Sequence, residues 1–232
     1  MDREAVRRAL DGPVNGRILF DLDGTLIDSV PLCAELVNEM LAARGAGRRV
    51  SEAEAKPYVT TGGRRMLAAL LGEACGDVDA ALVEFRARYA ARPTDAACLY
   101  PGAREALSEL RDAGFGLAVW SNKAQELCSK VITELGLADL FDAVVGSGPS
   151  VPLKPDLTGL GLALGDAPHD RCCSIGDSEP DWQVAQAAGL PLVLMTFGYG
   201  DYGREWPGAV LCPSFPELPG VVEALFAARD AA

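Results

Sequence analysis

Asp21 and Asp23 stand two residues apart at the end of the short apolar run Ile18-Leu19-Phe20, and Gly24 and Thr25 follow them. The run reads as a buried strand, and the glycine lets the backbone turn sharply behind the acid pair. Two carboxylates in that setting suit phosphoryl transfer, in which one attacks and the other passes a proton to the leaving group. An ordinary strand-ending turn with a solvated acid looks the same over these few residues. The rest of the chain must therefore supply what attack on a phosphate needs. A phosphate dianion about 4 Å from a carboxylate is repelled by roughly 8 kcal/mol at an effective dielectric near 20. A metal ion, a lysine or both have to stand nearby.

Three further polar segments answer that demand. Leu117-Ala118-Val119-Trp120 leads into Ser121-Asn122-Lys123, which offers a hydroxyl, an amide and backbone N–H groups at an expected helix start. Such a terminus holds a phosphate oxygen well, although Ser and Asn are also common N-caps. Lys154-Pro155 lies on a loop rich in glycine and proline. Alone it reads as a solvated surface charge; with the acid pair it is the required local cation. Cys172-Cys173-Ser174-Ile175 runs into Gly176-Asp177, and Asp181 follows four residues later at a helix start. Carboxylates are ligands that Mg²⁺ prefers, while acids also gather at helix N-termini for dipole reasons. Four such segments in order, each at the C-terminal end of a strand, fall on the edge where open α/β sheets bind ligands.

Short apolar runs alternating with amphipathic stretches set these segments in place, a pattern that predicts a parallel sheet covered by helices. Strands are expected at Arg17–Phe20, Gly116–Trp120, Ala143–Val145, Cys172–Ile175, Leu192–Met195 and, more weakly, Ala209–Cys212. Helices are expected near Gly102–Ala113, Ala124–Leu135, Asp181–Ala188 and Pro219–Ala228. From Ser29 to Cys98 there is no convincing strand, only helical patterns around Leu32–Ala43, Arg64–Leu71 and Ala80–Ala91. A stretch of that length with its own helices reads as an inserted subdomain. Its ends fall close to the first strand, so it would sit over the end of that strand, where a cap can exclude water and choose the substrate.

In these four segments, the chain resembles the haloacid dehalogenase superfamily, in particular its phosphoglycolate phosphatase-like branch. The matching residues are Asp21-Leu22-Asp23-Gly24-Thr25, Ser121-Asn122-Lys123, Lys154-Pro155 and Gly176 through Asp181. The resemblance implies a Rossmann-like α/β core over residues 16–29 and 97–232 with a helical cap over residues 30–96, and a Mg²⁺-dependent phosphatase working through an aspartyl-phosphate. Asp21 would attack phosphorus; Asp23 would protonate the leaving alcohol and then activate water. Mg²⁺ would be held by Asp21, the Asp23 carbonyl and Asp177, with Asp181 beside or on the metal. Gly24, Thr25, Ser121 and Asn122 would cradle the phosphoryl group, and Lys154 would neutralise it. Relatives often place a second proline after Lys154-Pro155 where this chain has Asp156-Leu157, a departure that bears on the substrate and not on the mechanism.

The alternatives are a sugar-phosphate mutase of the β-phosphoglucomutase type and a catalytically silent binding protein with the same fold. Asp23 argues against carbon–halogen chemistry, and Lys123 favours a hydrolase over a mutase. In the cap, Thr61-Gly62-Gly63-Arg64-Arg65 is the segment expected to face the site. Gly62 and Gly63 would permit close approach, and Arg64 would hold a second anion of the substrate or else simply begin a helix. Tyr199, after the fifth strand, would touch substrate or pack. His169 is expected to be exposed and unused.

The formal net charge of −12 argues against a nucleic-acid partner. No segment reaches the roughly 18 continuous apolar residues of a membrane span. Met1 to Leu10 is charged, helix-prone and lacks the apolar core of a signal peptide. With an odd number of cysteines, seven, and no C-x-x-C pair, reduced thiols and a cytoplasmic location are expected. The expected partner is a small phosphorylated metabolite, and the chain would act as a monomer or homodimer.

Overall fold

In the computed structural model, which describes residues 16–230, Arg17–Phe20 forms β1 near the middle of a parallel sheet. Its partners are β2 (Gly116–Ala124) on one side and β4 (Cys172–Gly176) on the other. β3 (Ala143–Ser147), β5 (Leu192–Met195) and β6 (Ala209–Cys212) complete the order β3-β2-β1-β4-β5-β6. Both faces are covered, which is why these strands read as unbroken apolar runs. Ile18 and Phe20 belong to one buried cluster, and Leu19 packs on the other side with Ala118 and Trp120. Register fixes the working edge. Phe20 lies beside both Val119 and Ile175, so β1 and β4 end nearly level while β2 runs on beside them to Ala124.

Between β1 and β2 come α1 (Val30–Ala43), α2 (Glu52–Val59), α3 (Gly63–Leu71) and α4 (Val78–Ala91), then α5 (Ala103–Asp112). The remaining helices are α6 (Gln125–Glu134), α7 (Thr158–Leu164), α8 (Glu179–Ala188) and α9 (Leu218–Asp230). Among the described residues, no helix is long and apolar enough to cross a membrane. The helical insertion packs around Leu36, Met40, Leu67 and Leu70. Its two ends meet: Asp28 N–H donates to the Cys98 carbonyl at 2.8 Å and Tyr100 N–H to the Leu26 carbonyl at 3.0 Å.

The structure departs from the sequence expectations in four places. α2 lacks an apolar stripe, since only Ala55 of it is buried. It is set instead by a capping box, in which Ser51 and Glu54 satisfy each other's backbone N–H groups. α7 forms despite Gly159 and Gly161, because Gly159 seats against Trp120: a Cβ there would lie 2.4 Å from the indole nitrogen. β2 continues past Trp120 to Ala124, so Ser121, Asn122 and Lys123 lie in extended chain and not at a helix start. α8 begins at Glu179, which puts Asp181 inside its first turn. The helix-prone stretch Met1 to Leu10 lies outside the described residues.

Candidate active site

The turn after β1 is made tight by Gly24, whose φ is +90°. A Cβ on Gly24 would also stand 2.4 Å from Asp177 Oδ2, so the missing side chain is what lets the β4 carboxylate lie against this turn. Gly24→Ala is therefore expected to destabilise the fold by roughly 1–3 kcal/mol and to push Asp177 aside. Urea unfolding checks the first effect, and an unchanged midpoint would show that the turn is not strained.

Four carboxylates and two lysines meet at this edge. Lys154 Nζ donates to Asp21 Oδ1 at 3.0 Å and to Asp181 Oδ1 at 2.7 Å. Lys123 Nζ grips both oxygens of Asp23, at 2.7 and 2.9 Å. Asp177 has no lysine; it accepts from Tyr199 N–H at 2.7 Å and from the Thr25 hydroxyl at 3.3 Å. Asp181 Oδ2 is held by Ser178, through its N–H and hydroxyl at 3.2 and 3.3 Å. Oxygens of Asp21, Asp177 and Asp181 all lie within 4.8 Å of one another.

The electrostatics follow from this crowding. Burial pushes the Asp21 carboxyl up against the pull of Lys154, and burial together with Asp181 and Asp21 pushes Asp177 far above the usual carboxylate range. Burial opposes the Lys154 and Lys123 ammonium groups, but their carboxylate partners outweigh it and raise both. Four carboxylates against two ammonium groups leave an excess of two negative charges. That excess, on hard oxygen donors, fits a divalent cation such as Mg²⁺.

Asn122 joins three parts of the site. Its Oδ1 accepts from Lys154 N–H at 2.6 Å, while its Nδ2 donates to the Thr60 carbonyl of the helical insertion at 3.1 Å. Ser121 is buried and accepts from Lys123 N–H at 3.3 Å. A slot of about 10 Å³ separates Asp21, Asp23, Ser121, Asn122 and Lys154 from the overlying Val59 and Thr60. A larger cavity of about 640 Å³ adjoins it, lined by Asp23, Asn122 and Lys123 below and by residues of α3 and α4 above.

The expected site residues are not all placed alike. Asp21, Asp23, Ser121, Asn122, Lys154 and Asp181 share the slot, and Asp177 stands behind it. Thr25 is fully buried and spends its hydroxyl on Asp177. Gly62 seats against Leu153, where a Cβ would fall 2.6 Å from the leucine methyl. Gly62, Gly63 and Arg64 line the larger cavity, but Arg64 is paired with Asp79. Tyr199 faces the chain just before α1: its hydroxyl donates to Asp28 and accepts from Ser29 N–H, both at 2.8 Å. His169 is exposed.

Sequence reasoning weighed Lys123 only as a family marker and did not place it in the site. Its ammonium lies on Asp23 and 4.7 Å from the centre of the Tyr89 ring of α4. The available signal was its position between Ser121 and Ala124 in a strand that keeps burying residues.

A haloacid dehalogenase-like hydrolase family model matches residues 18–195. A phosphoglycolate phosphatase of Rhodobacter capsulatus is 35% identical over 215 residues, covering 89% of this chain and 96% of its own. Among solved structures, a predicted phosphoglycolate phosphatase from Haemophilus somnus 129PT superposes with a TM-score of 0.77 at 24% identity, over 90% of this chain and 99% of that one. CbbY from Rhodobacter sphaeroides, in complex with phosphate, gives a TM-score of 0.70 at 27% identity, over 89% and 96%.

Proposed function

The chain belongs to the haloacid dehalogenase-like hydrolases, and from that premise we propose that the acidic edge of its sheet is a Mg²⁺-dependent centre hydrolysing small organic phosphate monoesters. The chain is a phosphatase; phosphoglycolate is the substrate that its curated relatives suggest. The observation that carries this reading is the unbalanced charge, four carboxylates facing two lysines around a narrow slot at the end of the sheet.

In the reading proposed, Asp21 is the nucleophile. Lys154, already on Asp21 Oδ1, holds the attacking carboxylate in place and offsets its repulsion of the phosphate. Ser121 and Asn122 orient the transferring oxygens from β2. Asp23 sits at the junction of the slot and the larger cavity, where a leaving alcohol emerges. There it first gives a proton to that alcohol and then takes one from the water that hydrolyses the Asp21 phosphoryl ester. Lys123 grips both oxygens of Asp23 and so fixes the carboxyl group at that junction. Asp21, the Asp23 carbonyl, Asp177 and Asp181 are the residues that would hold Mg²⁺. When bound, the ion stabilises the charge that gathers on the transferring oxygens.

Residues 30–96 serve in this scheme as a cap that excludes water and selects the ester. A reducing, cytoplasmic setting fits the seven cysteines, all of which are free thiols.

Phosphate release from 2-phosphoglycolate, hexose phosphates, nucleotides and an aryl phosphate tests the reading. Release with Mg²⁺ that stops on adding EDTA is expected. Release that persists at full rate in EDTA would remove the metal from the mechanism. No release from any ester, with no binding of a phosphoryl mimic such as beryllium fluoride, would overturn the assignment of the site.

A further inference from the structure

We propose that the larger cavity carries a distal anion subsite built on Arg86 of α4, with Arg65 of α3 at its rim. This subsite, in place of Arg64, would select an ester whose leaving group ends in a second negative group. The inference rests on the phosphatase reading above and names the substrate class of the same site.

Arg64 is already engaged, since it pairs with Asp79 where both side chains are largely exposed. Arg65 and Arg86 line the same cavity, and among the described residues neither has an ion-pair or hydrogen-bond partner. Arg86 is half-buried on a wall shared with Leu82 and Phe85. A partly desolvated guanidinium without a counter-ion in a pocket of this kind is suited to an incoming carboxylate or phosphate, which it can grip bidentately.

Position along α4 sets how far away that anion must be. Tyr89 is the residue nearest the chemistry, because its ring lies 4.7 Å from the Lys123 ammonium that holds Asp23. Arg86 follows one helical turn farther out, a rise of about 4.5 Å, and Leu82 and the Asp79–Arg64 pair come after it. Leu127 and Leu153 line the same cavity. A two-carbon acid bound through its phosphate ends beside Lys123, whose ammonium is already committed to Asp23. An ester with a longer carbon backbone crosses the apolar stretch and delivers its second anion to Arg86. The cavity volume of about 640 Å³ suits a ligand of that size better than a two-carbon acid.

The test compares fructose 1,6-bisphosphate with fructose 1-phosphate, which differ only in the distal anion, in wild type, Arg86→Gln and Arg64→Gln. The wild type should favour the bisphosphate in kcat/KM. Arg86→Gln should cut that preference at least about tenfold, chiefly through KM, and Arg64→Gln should shift it by less than about twofold. Equal preference in wild type and Arg86→Gln overturns the subsite while leaving the phosphatase intact. If neither ester is hydrolysed, calorimetric titration of the bisphosphate into Asp21→Asn and Asp21→Asn/Arg86→Gln still decides. A Kd about tenfold weaker in the double variant supports the subsite. Equal Kd values, or no binding to either, overturn it.

Discussion

Asp21→Asn is expected to lower turnover of every ester by at least about 10³-fold while leaving the protein folded. The amide keeps the size of the carboxylate and an oxygen for Lys154, but it is no nucleophile toward phosphorus. In metal-free buffer the variant should melt at or above the wild-type temperature, because it removes one of four crowded negative charges. The two readouts together separate chemistry from folding. Turnover within tenfold of wild type would sink the nucleophile assignment, and a lowered melting temperature would show that the cluster is balanced as it stands.

Lys154→Met should abolish activity and, unlike the first variant, destabilise the fold by about 3–5 kcal/mol in EDTA. Among the described residues, Lys154 is the one cation paired with both Asp21 and Asp181, and all three side chains are buried. Its removal leaves two carboxylates facing each other without compensation. Adding Asp181→Asn to Lys154→Met should recover much of the lost stability and none of the activity. Urea midpoints and phosphate release measured on the same preparations check both halves. A single variant as stable as wild type would mean that the lysine contributes nothing to holding the cluster together.

The parts of the fold legible in the sequence are those where burial writes an unbroken pattern. β1 and β5 were readable to the residue because both faces of the sheet are covered. α2 was not, since its single buried residue leaves no stripe; the capping pattern Ser51-x-x-Glu54 was its available signature. The polar residues after Phe20, Val119 and Ile175 were legible as a set because register sets those three positions side by side. Lys123 was harder: a lysine after an apolar run reads as solvated unless one knows that the strand continues past Trp120. The choice between Arg64 and Arg86 depends on α3 packing against α4, which puts Asp79 beside Arg64. Spacing along the chain carries no trace of that pairing.

The closed base of the helical insertion has a consequence for how such a chain can change. Ile27 and Leu99 form an antiparallel bridge, so the chain leaves the core and returns to it at one point. Whatever lies between is a detour whose length the sheet does not register. Doubling a detour closed at both ends adds only about 0.6 kcal/mol of closure entropy. The length of the four-helix stretch above the sheet can therefore change at little cost in closure, while Asn122 on the Thr60 carbonyl and Lys123 against the Tyr89 ring tie it to the edge below. The stretch between Ile27 and Leu99 can lengthen or shorten without a matching change in the strands that carry the carboxylates.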